Sequence, residues 1–294
     1  MLYTIENRQL ICTIDSHGCE IKSVKDKKTG REYMWNGDPE YWNRTSPVLF
    51  PFVGAVKDKK YRYNGKTFEI GQHGFARDME FTLLSRLDDE IWMELTDAEE
   101  TITKYPFRFR LKIGYQLNGR DLTVAWRVEN RNDTDMPFAI GAHPGFIIPR
   151  DESKIFRLYD RQDKPVQSIE NRIFAGGGCV SDHFENISTP DGILPITEHL
   201  FDGDALVIED GQLGAVELTK EGSDSAEITV RFSSPLVGLW SPPKKNAPFV
   251  CIEPWYGRCD SENFAGDLQE RDYEQILEPG KEFQAEYDIL FGGD

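Results

Sequence analysis

The sequence predicts an all-β protein, a sandwich of two large antiparallel sheets with few short helices. Short strand patterns follow one another along the chain and are separated by turn signals. No convincing amphipathic helix longer than about twelve residues is present. The chain also lacks the strand–helix alternation of a parallel sheet, and it lacks internal repeats. Because no linker rich in proline, glycine and serine divides the 294 residues, we expect a single domain spanning residues 1–294.

The clearest element is a long hairpin over residues 107–130 that turns at Asn118-Gly119. On both arms apolar residues alternate with polar or small ones: Leu111, Ile113, Tyr115 and Leu117, then Leu122, Val124, Trp126 and Val128. This period of two is typical of strands with one buried face. A second hairpin is predicted over residues 60–70, because Asn64-Gly65 is a strong turn signal between two strand patterns.

The other strand patterns are short apolar or β-branched runs between turns. They lie at residues 2–5, 9–14, 18–24, 32–35, 80–86, 90–95, 204–208, 214–219, 227–232, 236–240, 249–252 and 282–291. Between two of these strands, Thr96 or Asp97 is a candidate cap for a short helix that includes Thr101. The pattern therefore predicts that strands supply almost all of the regular structure.

Three stretches depart from regular strands. The segment from Arg44 to Gly54 holds two prolines in an apolar run, so we expect it to be extended and packed near a cleft. Residues 150–203 are rich in loop signals, and one helical turn is expected at 197–201. The three glycines at 176–178 lack the lysine and the strand-to-helix context of a phosphate loop, and they indicate a flexible connection.

Composition excludes several classes of partner. The formal net charge is −17, which argues against nucleic acid and anionic membrane surfaces. No apolar run is long enough to span a membrane, and the N-terminus lacks the layout of a signal peptide. An odd number of dispersed cysteines indicates reduced thiols in the cytoplasm, without a disulfide framework: Cys12, Cys19, Cys179, Cys251 and Cys259.

Three ionisable residues stand where apolar runs break next to proline or glycine: His73, His143 and Glu253. Proline restricts the backbone of the residue before it, so His143 and Glu253 should sit extended at strand ends. Two imidazoles and a carboxylate on rigid strand ends suffice for paired acid and base catalysis, if the fold brings them together. A core histidine bonded to a backbone carbonyl is the alternative for each imidazole. No HxH or HxxxH spacing is present, so we expect no metal site.

Several segments resemble the signatures of the aldose 1-epimerase (galactose mutarotase-like) family. The order and spacing also fit that family, and the resemblance runs through nearly the whole chain. The early arginine-bearing stretch around Arg44 is similar too, and residues 201–206 resemble the LacX-type branch. The signature segments are His73-Gly74-Phe75-Ala76-Arg77, Gly141-Ala142-His143-Pro144-Gly145-Phe146 and Glu253-Pro254-Trp255. The resemblance implies a β-supersandwich and an enzyme that needs no cofactor.

The resemblance also implies roles for individual residues in interconverting the α and β anomers of a free aldohexose. Glu253 matches the general base, His143 matches the general acid, and His73 matches the second histidine, which binds near the ring oxygen. Candidate substrate-binding residues are Arg77, Arg44, Asp204 and Trp240, the last as an aromatic wall; Trp42 and Trp255 are further aromatic candidates. An imidazolium near a carboxylate should hold its proton to higher pH, so we expect the pKa of His143 to rise and that of Glu253 to fall.

Two alternative functions remain open from the sequence. A hexose-6-phosphate mutarotase would need arginines that converge on one end of the pocket, and Arg44, Arg77 and Arg258 are the candidates. A non-catalytic carbohydrate-binding sandwich would bind sugar without changing the rate of mutarotation. All three interpretations predict a small-molecule sugar as the partner, bound by a monomer or a homodimer.

Overall fold

The computed structural model describes residues 1–292 and confirms the predicted fold class. Two large antiparallel sheets, one of nine and one of eight strands, dominate the described part of the chain, and three small sheets flank them. The described helices are short, and none of them has the length and apolar character needed to cross a membrane.

In chain order, the strands of the described residues are β1 (Leu2–Glu6), β2 (Leu10–Asp15), β3 (Glu20–Asp26), β4 (Val48–Leu49), β5 (Lys60–Tyr63), β6 (Lys66–Glu69), β7 (Thr82–Arg86), β8 (Glu90–Thr96), β9 (Phe109–Asn118), β10 (Asp121–Asn130), β11 (Met136–Phe138), β12 (Ile140–Ala142), β13 (Gly145–Ile147), β14 (Lys154–Tyr159), β15 (Ser168–Gly176), β16 (Cys179–Ser188), β17 (Ile193–Pro195), β18 (Leu206–Ile208), β19 (Ala215–Lys220), β20 (Ala226–Phe232), β21 (Leu236–Trp240), β22 (Phe249–Tyr256), β23 (Gln275–Leu277) and β24 (Glu282–Phe291).

The one α-helix among residues 1–292 is α1 (Glu99–Lys104), in the region where a short helix was predicted. Its N-terminal cap is Ala98, not Thr96 or Asp97: the Thr101 hydroxyl accepts a hydrogen bond from the Ala98 N–H at 2.8 Å. The capping hydrogen bond therefore involves the side chain of Thr101, inside the helix, and not the side chain of Thr96 or Asp97 before it. Single 3-10 turns occur at Lys57–Lys59, Ala76–Asp78, Pro190–Gly192 and Leu268–Glu270.

The nine-stranded sheet has the order β17-β14-β19-β20-β24-β10-β9-β8-β7. Its centre is the predicted long hairpin, β9 and β10, with β24 paired along the other side of β10. Alternate residues of these strands are buried, as period two predicts, and they include Ile113, Val124 and Ile289. Their inner face shares one apolar cluster with residues of the other large sheet, such as Ile252. The core therefore lies between the two large sheets.

The eight-stranded sheet carries the candidate site. Its order is β16-β15-β18-β21-β22-β12-β4, and β13 pairs with β22 as well. Both β12 and β13 pair with β22, through Gly141 opposite Trp255 and Gly145 opposite Cys251. The two short strands are thus one interrupted strand, and the interruption is at His143 and the proline after it. This confirms that His143 lies at a strand end.

Glu253 does not lie at a strand end, contrary to the prediction. It lies inside β22, opposite Gly238 of β21, with Pro254 continuing the strand. A proline is tolerated there because the interruption at His143 leaves that side of β22 without a regular ladder partner. Ile252 faces the core, so Glu253 faces the opposite side of the sheet.

The expectation of a loop-rich region at residues 150–203 is wrong. The region contains four strands, β14 to β17, and its expected helical turn at 197–201 is a series of hydrogen-bonded turns. Strands β15 and β16 form a hairpin at the edge of the eight-stranded sheet, and β16 is largely exposed. Exposed edge strands carry polar residues on both faces, so the apolar alternation that identifies a strand is missing.

Candidate active site

A pocket of about 300 Å³ opens on the side of the eight-stranded sheet that faces away from the nine-stranded sheet. The sheet supplies its floor, and loops from several parts of the chain supply its walls. Its lining residues are Trp42, Val53, Gly54, Gln72, His73, Arg77, His143, Phe174, Gly178, Asp204, Ala205, Trp240, Pro243, Glu253, Trp255 and Cys259. Residues far apart in the sequence, including both candidate histidines and the candidate carboxylate, therefore meet at one place.

His143 and Glu253 are in direct contact. The Nε2 atom of His143 lies 3.4 Å from Oε1 of Glu253, and the two side chains are only 9% and 2% exposed. The interruption between β12 and β13 holds the imidazole, and the middle of β22 holds the carboxyl group across from it. Two rigid strands thus place an acid–base pair at the floor of the pocket.

Burial, and not ion pairing, controls how this pair holds protons. Burial, together with the positive charges of Arg77 and Arg44, lowers the pKa of His143 to about 3. Burial also raises the pKa of Glu253 well above its ordinary value; the charge of Asp204 adds to this, and the Trp255 indole opposes it. The expectation of a raised histidine pKa and a lowered glutamate pKa is therefore wrong, because desolvation outweighs their mutual attraction.

His73 lies outside the strands, in a turn that the backbone fixes tightly. Its φ is 65° and that of Gly74 is 68°. The His73 N–H donates to the Gly54 carbonyl at 2.8 Å, and the Gly54 N–H donates back to Nδ1 of His73 at 3.0 Å. Nδ1 is therefore an acceptor, so the neutral ring carries its proton on Nε2. The two imidazole rings are 5.7 Å apart, and burial, followed by the nearby His143, holds the pKa of His73 well below its usual range.

The candidate arginines differ in where they lie. Arg77 lines the pocket and donates to the Gln72 carbonyl at 2.8 Å. Arg44 does not line it; its guanidinium donates to the Asp78 carboxylate at 2.6 Å and to the Arg77 carbonyl at 3.4 Å. Arg44 therefore adds positive charge behind Arg77 without facing the pocket.

Arg258 does not converge with the other two arginines. Its side chain is buried outside the pocket lining, where Nε lies 2.7 Å from Glu209 and Nη2 lies 2.6 Å from Asp272. Two carboxylates thus neutralise its charge. The cluster of three arginines that a phosphate group would favour is not formed.

Asp204 and Trp240 form one wall of the pocket together. The Trp240 indole N–H donates to Oδ1 of Asp204 at 3.1 Å, and the Ala205 N–H donates to the same oxygen at 2.8 Å. Asp204 precedes β18 by two residues, and Trp240 ends β21, which pairs with β18. Trp42 and Trp255 contribute further aromatic surface.

Sequence reasoning missed several lining residues. Gln72 could have been found, because it is next to His73 in the sequence. Phe174 and Gly178 come from the β15–β16 hairpin, whose tip is the run of glycines interpreted as a connection. No local signal in the sequence identifies them, because they reach the pocket only through the sheet edge that carries the hairpin.

Four buried polar atoms around the pocket have no well-aligned hydrogen bond to another described residue, although the Trp255 indole is close enough to Glu253 to favour its ionised form. Buried polar groups in folded proteins are nearly always hydrogen-bonded, so such a concentration at one place is unusual. The four atoms are Nδ1 of His143, Oε2 of Glu253, Nε1 of Trp255 and Nε of Arg77. Donors and acceptors clustered between aromatic walls are the features expected of a site for a small polyhydroxy compound.

One group of residues in the described chain has the spacing to hold a metal ion. Ligand atoms of His143, Cys251 and Glu253 lie within 4.8 Å of one another. Metal binding requires a thiolate and a carboxylate. Burial raises the pKa of both Cys251 and Glu253 well above their usual ranges, so a metal ion bound there would have to displace a proton from each group.

Comparison with known proteins identifies the family of this chain. The sequence profile of the family described as aldose 1-epimerase matches residues 1–290. The chromosomal LacX protein of Lactococcus lactis subsp. lactis is 30% identical over 302 residues, which cover 98% of this chain and 99% of that protein.

Two solved structures have the same fold along their whole length. A galactose mutarotase related enzyme from Lactobacillus acidophilus has a TM-score of 0.91 and 36% identity, over 100% of this chain and 98% of its own. A galactose mutarotase-like protein from Lactobacillus casei ATCC 334 has a TM-score of 0.91 and 30% identity, over 99% of each chain. The resemblance seen in the sequence motifs is confirmed: this chain belongs to the aldose 1-epimerase family.

Proposed function

We propose that the pocket interconverts the α and β anomers of a free aldohexose by acid–base opening and reclosure of the sugar ring. The observation that carries the proposal is the buried contact between His143 and Glu253, whose facing atoms are 3.4 Å apart. The reaction moves one proton off the anomeric hydroxyl and another onto the ring oxygen. These two oxygens are attached to the same carbon, so an acid and a base in contact with each other can serve both.

The proton balance of the pair suits a reversible reaction. In the free site one proton is shared between a neutral imidazole and a carboxylic acid. A sugar hydroxyl that donates to the Glu253 carboxylate stabilises its ionised form, and the shared proton then moves to His143. Glu253 takes the proton of the anomeric hydroxyl while His143 gives its own to the ring oxygen. After rotation about the first carbon–carbon bond, the reverse transfers close the ring as the other anomer and restore the pair.

The remaining lining residues have roles in holding the sugar. His73 presents an Nε2–H donor close to His143 and so near the ring oxygen in this geometry. Arg77 offers a half-buried guanidinium to hydroxyl groups, and Asp204 offers a carboxylate beside the aromatic surface of Trp240. Aromatic walls with a few fixed polar groups are typical of sites that bind small ligands.

A free sugar fits the pocket better than a sugar phosphate. Among the candidate arginines only Arg77 lines the pocket, while Arg44 is paired with Asp78 and Arg258 is paired with two carboxylates. Phosphate groups are usually bound by converging arginines that make several charge-assisted hydrogen bonds. The neutral aldohexose is therefore the substrate class that we propose.

Polarimetry of freshly dissolved α-glucose and α-galactose tests this function against the alternatives. The proposal expects the protein to accelerate the approach to anomeric equilibrium, and to do so less well with the 6-phosphates. Sugar binding without acceleration would instead support a carbohydrate-binding protein. Acceleration confined to the phosphorylated sugars would support a hexose-6-phosphate mutarotase.

A further inference from the structure

The imidazole of His143 is held between two indoles. The Trp42 ring stacks on it with a centroid distance of 4.6 Å and an interplanar angle of 28°. The Trp240 ring meets it edge to face, at 5.2 Å and 85°. Trp42 and Trp240 also contact each other edge to face at 5.4 Å. Both arrangements are favourable geometries for aromatic rings, so together they restrict the plane of the imidazole.

The stack on His143 continues into the interior. Phe249 lies parallel to Trp42 at 5.7 Å and 14°, and Trp35 stacks on Phe249 at 4.3 Å and 19°. Trp35 and Phe249 are buried, with 4% and 0% of their surface exposed. Four rings thus form a column from the interior to the pocket, and His143 is its last member.

Hydrogen bonds hold the backbone around Trp42. The Trp35 indole N–H donates to the Trp42 carbonyl at 2.9 Å. The Lys245 ammonium donates to the Glu40 and Tyr41 carbonyls, each at 3.0 Å, and Arg150 donates to the Tyr41 hydroxyl. Residues 39–43 belong to no strand or helix, and these bonds, together with that from the Trp42 N–H to the Asp38 carbonyl at 2.9 Å, hold Trp42 in its place.

In this site, no neighbouring residue orients the His143 ring through a hydrogen bond to Nδ1. In most acid–base sites the second nitrogen donates to a carboxylate or carbonyl, and that bond sets the orientation of the ring. Nδ1 of His143 is buried and has no hydrogen-bond partner in any other residue of the described chain; only the backbone of His143 itself is close enough to favour a proton on the ring. The stack fixes the ring plane, and contact with Glu253 selects the nitrogen that faces the carboxyl group.

We propose that Trp42 is a positioning residue for His143, taking the place of a hydrogen bond from Nδ1 to a neighbouring residue. This inference rests on the proposed function, in which His143 transfers a proton within the pocket. Without the Trp42 ring the imidazole can rotate away from the line between the ring oxygen and Glu253. A displacement of about 1 Å at a reacting group can cost about a hundredfold in rate.

Kinetics of two Trp42 variants test the role. Trp42→Leu removes the ring, and Trp42→Phe keeps a smaller ring that can stack. We expect kcat to fall roughly tenfold to a hundredfold in the leucine variant, with a smaller change in KM, and to recover largely in the phenylalanine variant. Trp92→Phe is the matched control, because Trp92 lies on β8 of the nine-stranded sheet, outside the pocket. A rise in KM alone would overturn the proposal and leave Trp42 as a wall for the sugar.

The NMR signals of the His143 ring give a readout that needs no activity. Loss of a signal in His143→Asn assigns it. In the wild type, indole ring currents should move it upfield of the signals of the exposed His17 and His199. Trp42→Leu should return it toward theirs, and Trp42→Phe should keep part of the shift. An unchanged signal in Trp42→Leu would overturn the proposal whatever the activity, while a shifted signal in a protein without mutarotase activity would count against the proposed function alone.

Discussion

The Nε2 atom of His143 lies 3.4 Å from Oε1 of Glu253, and both side chains are more than nine-tenths buried. The contact joins the interruption between β12 and β13 to the middle of the strand that pairs with both. Burial penalises charge on either group and so favours a neutral acid beside a neutral imidazole in the free site. Activity should therefore depend on this pair and on the residues that hold it.

Replacing Glu253 by glutamine removes the proposed base and keeps its shape. We expect Glu253→Gln to lower kcat for sugar mutarotation at least about a hundredfold, the usual scale for an acid–base residue. Sugar binding and the free energy of unfolding should change little, because the amide fits the same space. The substitution also removes a buried ionisable group. Polarimetry gives kcat, and urea unfolding provides the control. Near-normal turnover in this variant would remove Glu253 from the mechanism.

The pH dependence of kcat/KM reports the number of protons on the pair. In the proposed mechanism the active free form carries one proton on the pair, so activity should be lost when His143 gains a second proton or when the shared proton leaves. The pKa of His143 is lowered to about 3 and that of Glu253 is raised well above its ordinary value. We therefore expect no acid limb down to pH 4, and an alkaline limb above the usual range of a glutamate. An acid limb near pH 6 would contradict the account.

His143→Asn changes the shape of that profile. The variant leaves Glu253 alone in the pair, and it must be ionised to accept the hydroxyl proton. The remaining activity should therefore be low, should rise with pH as Glu253 loses its proton, and should show no alkaline limb. This rise in activity on the acid side should lie well above pH 4.5, because burial raises the pKa of Glu253. An alkaline limb that persists in this variant would identify another acid, with His73 the first candidate.

Arg77→Ala separates a neutral substrate from an anionic one. If Arg77 binds hydroxyl groups, KM for the free hexose should rise and should depend little on salt. If it binds phosphate, the loss should be larger for the 6-phosphate, and salt should weaken binding to the wild type. Arg62→Ala is the control, since Arg62 is 57% exposed and outside the pocket. A wild-type preference of about a hundredfold for the 6-phosphate would contradict the neutral substrate.

Gly74→Ala tests how the turn at His73 is held. Gly74 has a φ of 68°, and an added Cβ would lie 2.3 Å from the Phe50 carbonyl oxygen. Left-handed backbone costs an alanine about 1–2 kcal/mol, and the overlap adds about 1–3 kcal/mol. Gly65→Ala is a matched control, because Gly65 has a φ of 71° but no atom within 4 Å of the added Cβ.

Urea unfolding and kcat should therefore separate the two glycine variants. We expect Gly65→Ala to lose only the stability that left-handed backbone costs an alanine, and to keep its activity. Gly74→Ala should lose more stability and also activity, since the same turn positions His73. Equal losses of stability and activity in the two variants would show that the close approach to Phe50 has no role.

The sequence was sufficient for the fold class and for the identity of the central residues. Alternation over residues 107–130 identified the strands at the centre of the nine-stranded sheet, because one face of each is fully buried. The breaks at His73, His143 and Glu253 stood out because proline or glycine follows each one. The family motifs then connected three segments that are distant in the chain.

Other features could not be predicted from local sequence. Strand β16 is largely exposed and β15 carries several polar residues, so their apolar alternation is weak, yet their hairpin brings Phe174 and Gly178 to the pocket. The protonation of His143 and Glu253 depends on how completely the fold excludes water, and a motif carries no information about burial. Whether Arg44 and Arg258 face the pocket depends on the carboxylates that pair with them, and these are distant in sequence from the motifs.

Optical rotation of freshly dissolved α-galactose and α-glucose, followed with wild-type protein and with Glu253→Gln, tests the central claim most directly. The account predicts that the rate constant for mutarotation of at least one of these free sugars rises in proportion to the concentration of the wild type. It predicts that the glutamine variant leaves the spontaneous rate almost unchanged. The account would be contradicted if the wild-type protein binds both sugars and their mutarotation still proceeds at the spontaneous rate.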